Sequence, residues 1–110
     1  MVITFFSLDN EEKRGITVSN ELYKSKTYMT VLGRHIRNRR KIRDVSIQKL
    51  AEDTGFSINH VNNVELGHSH PATGLFHAIC DVLQIDATSF LMEVRDEVDM
   101  LFQEEEEEEQ

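Results

Sequence analysis

The sequence predicts an all-α fold, a compact five-helix domain with an N-terminal arm and an extended C-terminal helix. Three observations carry this. From Thr30 to Gln103 the apolar residues recur at spacings of three and four, the period of a helix with one buried face. Ser46 and Ser57 each stand just before such a run, at the N-cap position. Gly55 and Gly67 stand where two short helices have to stop.

Taken in order, residues 1–28 form a polar, mixed arm. Its "VITFF" has strand character from β-branched and aromatic residues, and "DNEEKRG" reads as a turn. The first strong helix is predicted over Thr30 to Ile42, with Thr30 as its N-cap and Leu32 and Ile36 on one face. "RDVS" breaks it. Ser46 caps the next helix, "IQKLAEDT", which turns Leu50 and Ala51 inward and ends at Gly55. Ser57 caps a third, with Val61 and Val64 as its buried pair and Gly67 beyond its end. Pro71 follows in a loop. A fourth helix starts near Ala72, with Ile79, Cys80 and Leu83 on one face, and a fifth covers Ala87 to Gln103. The closing run of six glutamates, within residues 104–110, is expected to be a disordered tail. The chain therefore divides into an arm at 1–28, a domain at 29–92, a helical extension at 93–103 and the acidic tail.

A chain of 110 residues holds one small domain, whose limited core favours oligomerisation. The single cysteine, Cys80, sits in "FHAICDVL" and reads as a small buried hydrophobe. No apolar run is long enough to span a membrane, and "MVITFFSL" lacks the basic start and small-residue cleavage site of a signal peptide. The expected location is the cytoplasm, with no membrane partner.

The net charge of −8 hides a segregation. Lys24 to Arg43 carries eight Lys or Arg and no acid, whereas Asp81 to Gln110 carries twelve acids against Arg95 alone. A phosphate backbone responds to the local field, so the basic segment keeps a nucleic-acid partner open despite the sum.

Two short helices joined by a tight turn at Gly55, with a small Ala51 at their crossing and Val61 and Val64 pinning the second to the first, describe helix-turn-helix geometry. With "LGRHIRNRR", "S..KLAEDTGFS", "HVNNVELG", "HP" and "LFHAICDVLQID", the chain from about Leu32 to Leu91 resembles the Cro/C1-type (XRE-like) family of repressor domains. That resemblance implies a DNA-binding transcription regulator on pseudo-palindromic operators. It places base contacts at Ile58, Asn59, Asn62 and Asn63, and phosphate contacts around His60 and in the loop His68, Ser69 and His70. It also implies a structural ion pair between Arg40 and Glu65. The family's phosphate-binding Gln at the start of the second helix is Ile47 here, and Arg39 stands where the family has an apolar residue.

Asn suits base reading, because its amide pairs bidentately with adenine N6 and N7. Bases can be specified by neutral side chains while charge for the phosphates comes from elsewhere, with Arg37 and Arg39 as candidates. His68, His70 and His77 lack a fourth ligand, so no metal is expected. No cofactor loop or nucleophile–base arrangement appears, so no enzyme is expected. Leu91, Val94, Val98 and Leu101 continue a four-three-four-three spacing from Ala87, which predicts a homodimer seam in preference to a helix folded back on its own domain. The leading reading is a dimeric repressor acting on double-stranded DNA. The alternatives are the antitoxin of a toxin–antitoxin pair, or a protein-interaction module that engages another regulator through the acidic C-terminal region or the N-terminal arm.

Overall fold

The computed structural model describes the backbone of residues 26–109 and the side chains of residues 26–104. Five helices follow one another: α1 (Lys26–Ile42), α2 (Ile47–Thr54), α3 (Ile58–Glu65), α4 (Thr73–Leu83) and α5 (Ala87–Glu109). The expected strand character of "VITFF" lies outside the described residues.

The short helices start and stop for local reasons. Ser46 Oγ accepts the Lys49 amide at 3.0 Å, and Ser57 Oγ accepts the His60 amide at 3.1 Å. Each satisfies one of the amides that a helix leaves without an internal partner. Gly55 ends α2 at φ +79°, a left-handed conformation that costs a residue without Cβ nothing. Asp86 caps α5 by accepting the Ser89 amide at 3.0 Å. Hydrogen bonding to Ser89 holds the Asp86 carboxyl below the usual carboxylate range.

α1 packs on α3 and α5, while α2 packs on α3 and α4. One core joins them, with Ile36 from α1, Leu50 from α2, Val61 and Val64 from α3, Leu75 and Ile79 from α4, and Phe90 from α5 all fully buried. Gly33 makes the α1–α3 crossing possible. A Cβ there would lie 2.3 Å from the Val64 carbonyl oxygen and 2.6 Å from that of Glu65. Those are backbone atoms of α3, so any side chain at position 33 would push the two helices apart.

Three expectations from the sequence need correcting. α1 already includes Lys26 and Tyr28, so Thr30 lies inside the helix instead of capping it. The glutamate run continues α5 to Glu109 instead of leaving the helix. Glu is a good helix former, and nothing between Gln103 and Glu109 is a stop signal. The third correction concerns the seam. Val94 and Val98 have 0 % exposure within the single chain, because α5 lies across α1, and Leu101 packs partly against the same core. Leu91, at 37 %, is the most exposed of the four. The four-three spacing marks α5's intramolecular face, and it cannot also be a dimer seam.

Candidate nucleic-acid interface

The site is built on α3. Val61 and Val64 are buried against the core, which fixes the rotation of this eight-residue helix. With 3.6 residues per turn, the opposite side then presents Ile58, Asn59, Asn62 and Asn63. All four are exposed, Ile58 to 45 %. The result is an apolar side chain and three amides on one outward face, a set that can contact base edges and a thymine methyl. His60 sits at the margin, half buried, its ring 5.8 Å from that of Phe56.

The C-terminal end of α3 is anchored from α1. Arg40 Nε and Nη2 donate to Glu65 Oε2 and Oε1 at 2.7 and 3.0 Å, and Nη1 donates to the Val45 carbonyl at 3.0 Å. The two side chains are only 12 % and 3 % exposed. This fork ties three segments together: α1, the loop after it and α3. A guanidinium supplies the three donors in fixed geometry, which a lysine could not.

The loop after α3 places its residues differently from one another. The His68 amide donates to the Asn63 carbonyl at 2.9 Å, so the loop closes back onto α3 while the His68 side chain is exposed. His70 is also exposed, with its ring 6.2 Å from that of Tyr28. The Ser69 hydroxyl is turned into the protein with no hydrogen-bond partner among the described residues. It does not face a phosphate, in contrast to the expectation from sequence.

Arg39 is the second departure. Its Nη2 donates to Glu93 Oε2 at 2.9 Å, and its guanidinium lies 5.5 Å from the centre of the Phe90 ring. It is occupied in joining α1 to α5. Its neighbours behave alike. Arg34 and His35 both engage Glu97, His35 Nε2 at 2.8 Å, and Arg43 donates to Gln84 Oε1 at 3.2 Å. The acids of α5 thus consume much of the basic cluster. Arg37 and Lys41 are exposed and make no ion pair among the described residues. Arg37 lies four residues after Gly33 and three before Arg40, both of which touch α3, so it flanks that helix.

Burial pushes the Glu97 carboxyl up, but the hydrogen bonds and charges of His35 and Arg34 outweigh it and hold the carboxyl below its ordinary range. A carboxylate with a depressed folded-state pKa stabilises above its unfolded pKa, and that contribution is lost as pH falls through the folded value. Glu97→Gln is therefore expected to be less stable than wild type at neutral pH. The difference should begin to shrink below about pH 4, where the unfolded carboxylate is protonated, and vanish only once the pH is below the lower folded-state value. Paired urea titrations across pH measure this; a difference independent of pH would assign Glu97's effect to shape alone.

Sequence reasoning passed over Gly33, the Arg39–Glu93 and His35–Glu97 contacts and the Arg43–Gln84 bond. Their partners are 41 to 62 residues apart in the paired cases, and no local pattern links them. Among the described residues, no group of three or more His, Cys, Asp or Glu could hold a metal ion. Cys80 is buried, and burial pushes its thiol up, which makes it a poor nucleophile.

A family model described as a helix-turn-helix domain matches residues 31–89, over half of the chain. No curated protein matches the sequence. Among solved structures, the crystal structure of the clp gene regulator ClgR from Corynebacterium glutamicum is similar, with a TM-score of 0.65 and 22 % identity, covering 72 % of this chain and 84 % of that one. At that identity the likeness concerns the fold.

Proposed function

The chain belongs to the helix-turn-helix domain family, and from that premise we propose that it is a sequence-specific DNA-binding transcriptional regulator, a dimeric repressor acting in the cytoplasm. The observation that carries this reading is the outward face of α3, where Ile58, Asn59, Asn62 and Asn63 are exposed together on a helix locked by Val61 and Val64. Three Asn in five positions lower helix propensity, and bare solubility does not require them. Their amides give bidentate recognition of adenine, and Ile58 gives apolar contact with a thymine methyl. The printed description of ClgR as a gene regulator agrees with this reading.

Asn59 lies in the first turn of α3, the end that approaches base edges most closely in this geometry. Arg37, His68 and His70 supply phosphate contacts around it, with backbone amides at the start of α2 serving where Ile47 replaces a polar side chain. Bases are thus read by neutral groups, and the cations stand to one side.

Asn59→Ala is expected to cost about 1–3 kcal/mol on the preferred duplex and to relax preference at one base pair. Arg37→Ala is expected to weaken all duplexes alike. The preferred duplex is found by enriching random DNA on the purified protein; binding is then compared on preferred and scrambled duplexes at one fixed salt concentration. Equal losses on both duplexes for Asn59→Ala would remove Asn59 from base reading. A wild type that prefers no duplex would overturn the regulator reading itself.

A further inference from the structure

With Val94 and Val98 inside the domain, a different side of α5 remains open. Thr88, Leu91, Met92, Arg95 and Asp99 follow one another at helical spacing along one flank of the helix. Met92 is 50 % exposed and Leu91 is 37 % exposed. The first four of these residues border, with Tyr28, a hollow of about 370 Å³. Exposed apolar side chains along a helix with a hollow beside them are the usual mark of an interaction surface.

Charge identifies the occupant. Glu93 and Glu97 of α5 are both paired with cations of α1. Arg95 and Asp99, four residues apart on the open flank, pair with nothing among the described residues, not even with each other. One flank that carries one cation and one anion is complementary to itself when reversed. With a second copy of α5 laid antiparallel and the two-fold axis level with residue 97, Arg95 of each copy faces Asp99 of the other. The same register sets the half-buried Phe102 of one copy opposite Met92 of the other, beside the hollow. Such pairing is what a two-fold interface demands, where residue i meets j and j meets i.

The acidic end of the helix selects the direction. A parallel pair would set residues 104–109 of both copies side by side, twelve like charges in one place. The antiparallel register puts the two runs about 28 Å apart at 1.5 Å per residue, well beyond the Debye length of about 8 Å in physiological salt.

We propose that the Leu91–Met92–Arg95–Asp99 flank of α5 is the homodimer interface, formed antiparallel across a two-fold axis with reciprocal Arg95–Asp99 pairs. The inference rests on the dimer proposed above and does not depend on DNA.

Sedimentation of the full chain without DNA tests it. Wild type is expected to be dimeric at about 100 µM, since association follows protomer concentration. Each reversal, Arg95→Asp or Asp99→Arg, creates two like-charge contacts per dimer and is expected to raise the dimer Kd at least about tenfold. The double reversal R95D/D99R restores both pairs and is expected to return to within about threefold of wild type. Mixing the two single variants should give a heterodimer tighter than either homodimer, because every facing pair is then opposite in sign. Arg95 is exposed and Asp99 half-buried, and thermal melts check that each variant is folded. A monomeric wild type, unaffected single variants, or a double variant as weak as the singles would each overturn the interface. A wild type that stays monomeric yet selects one DNA sequence would leave the DNA reading standing and remove only this surface.

Discussion

Glu65→Ala is expected to lower stability by about 3–5 kcal/mol, because it strands the largely buried guanidinium of Arg40 without its carboxylate. A domain of this size has roughly 5–15 kcal/mol in total, so the loss is a large share of its stability. The converse change, Arg40→Ala, leaves a carboxylate that is 3 % exposed and should be at least as harmful. Replacing both by apolar residues of similar volume, as in R40M/E65M, should recover much of the loss, since no charge is then left buried. The fork also holds the C-terminal end of α3, so the single variants should lose DNA selectivity before they lose all secondary structure. Urea titration followed by circular dichroism measures the loss. A loss under about 1 kcal/mol for Glu65→Ala would mean that water reaches and solvates Arg40 when its partner is gone.

Val98→Asp is expected to be as damaging, by about 4 kcal/mol or more, from burial of an unpaired carboxylate. The site is fully covered, and α5 crosses α1 around it. The result discriminates between the two faces of α5. Were Val98 part of a seam between copies, the variant would be a folded monomer with a near-normal melt. With Val98 inside the domain, the melt itself collapses, while Arg95→Asp on the flank changes association and leaves the melt nearly untouched. Thermal melts and sedimentation on the two variants decide it. A stable, monomeric Val98→Asp protein would show that the C-terminal part of α5 detaches from α1 without consequence for the domain.

Local chemistry made much of this protein legible before any coordinates. Ser46, Gly55 and Ser57 set the limits of α2 and α3, because capping and left-handed turns depend on a few adjacent atoms. The inward faces of α3 and α4 follow from 3.6-residue periodicity, and once Val61 and Val64 point inward the exposure of Asn59 and Asn63 is forced. Helix ends with weak signals were another matter: α1 begins by Lys26 and α5 runs to Glu109, where residues of good propensity extend a helix that no local stop interrupts.

What the tertiary structure alone decided is the assignment of partners. An apolar stripe on α5 states that something must cover it, without saying whether that is the same chain or another; the crossing of α1 over Val94 and Val98 made it the same chain. A run of arginines states a positive field, but Glu93, Glu97 and Glu65 took up Arg39, Arg34 and Arg40 and left Arg37 beside α3. Gly33 looked like any helical glycine until the carbonyls of Val64 and Glu65 came within 3 Å of where its Cβ would be. Periodicity and capping are properties of neighbours along the chain, readable from one segment at a time. Coverage, ion pairing and close approach depend on which distant segments meet, and that is settled only when the helices dock.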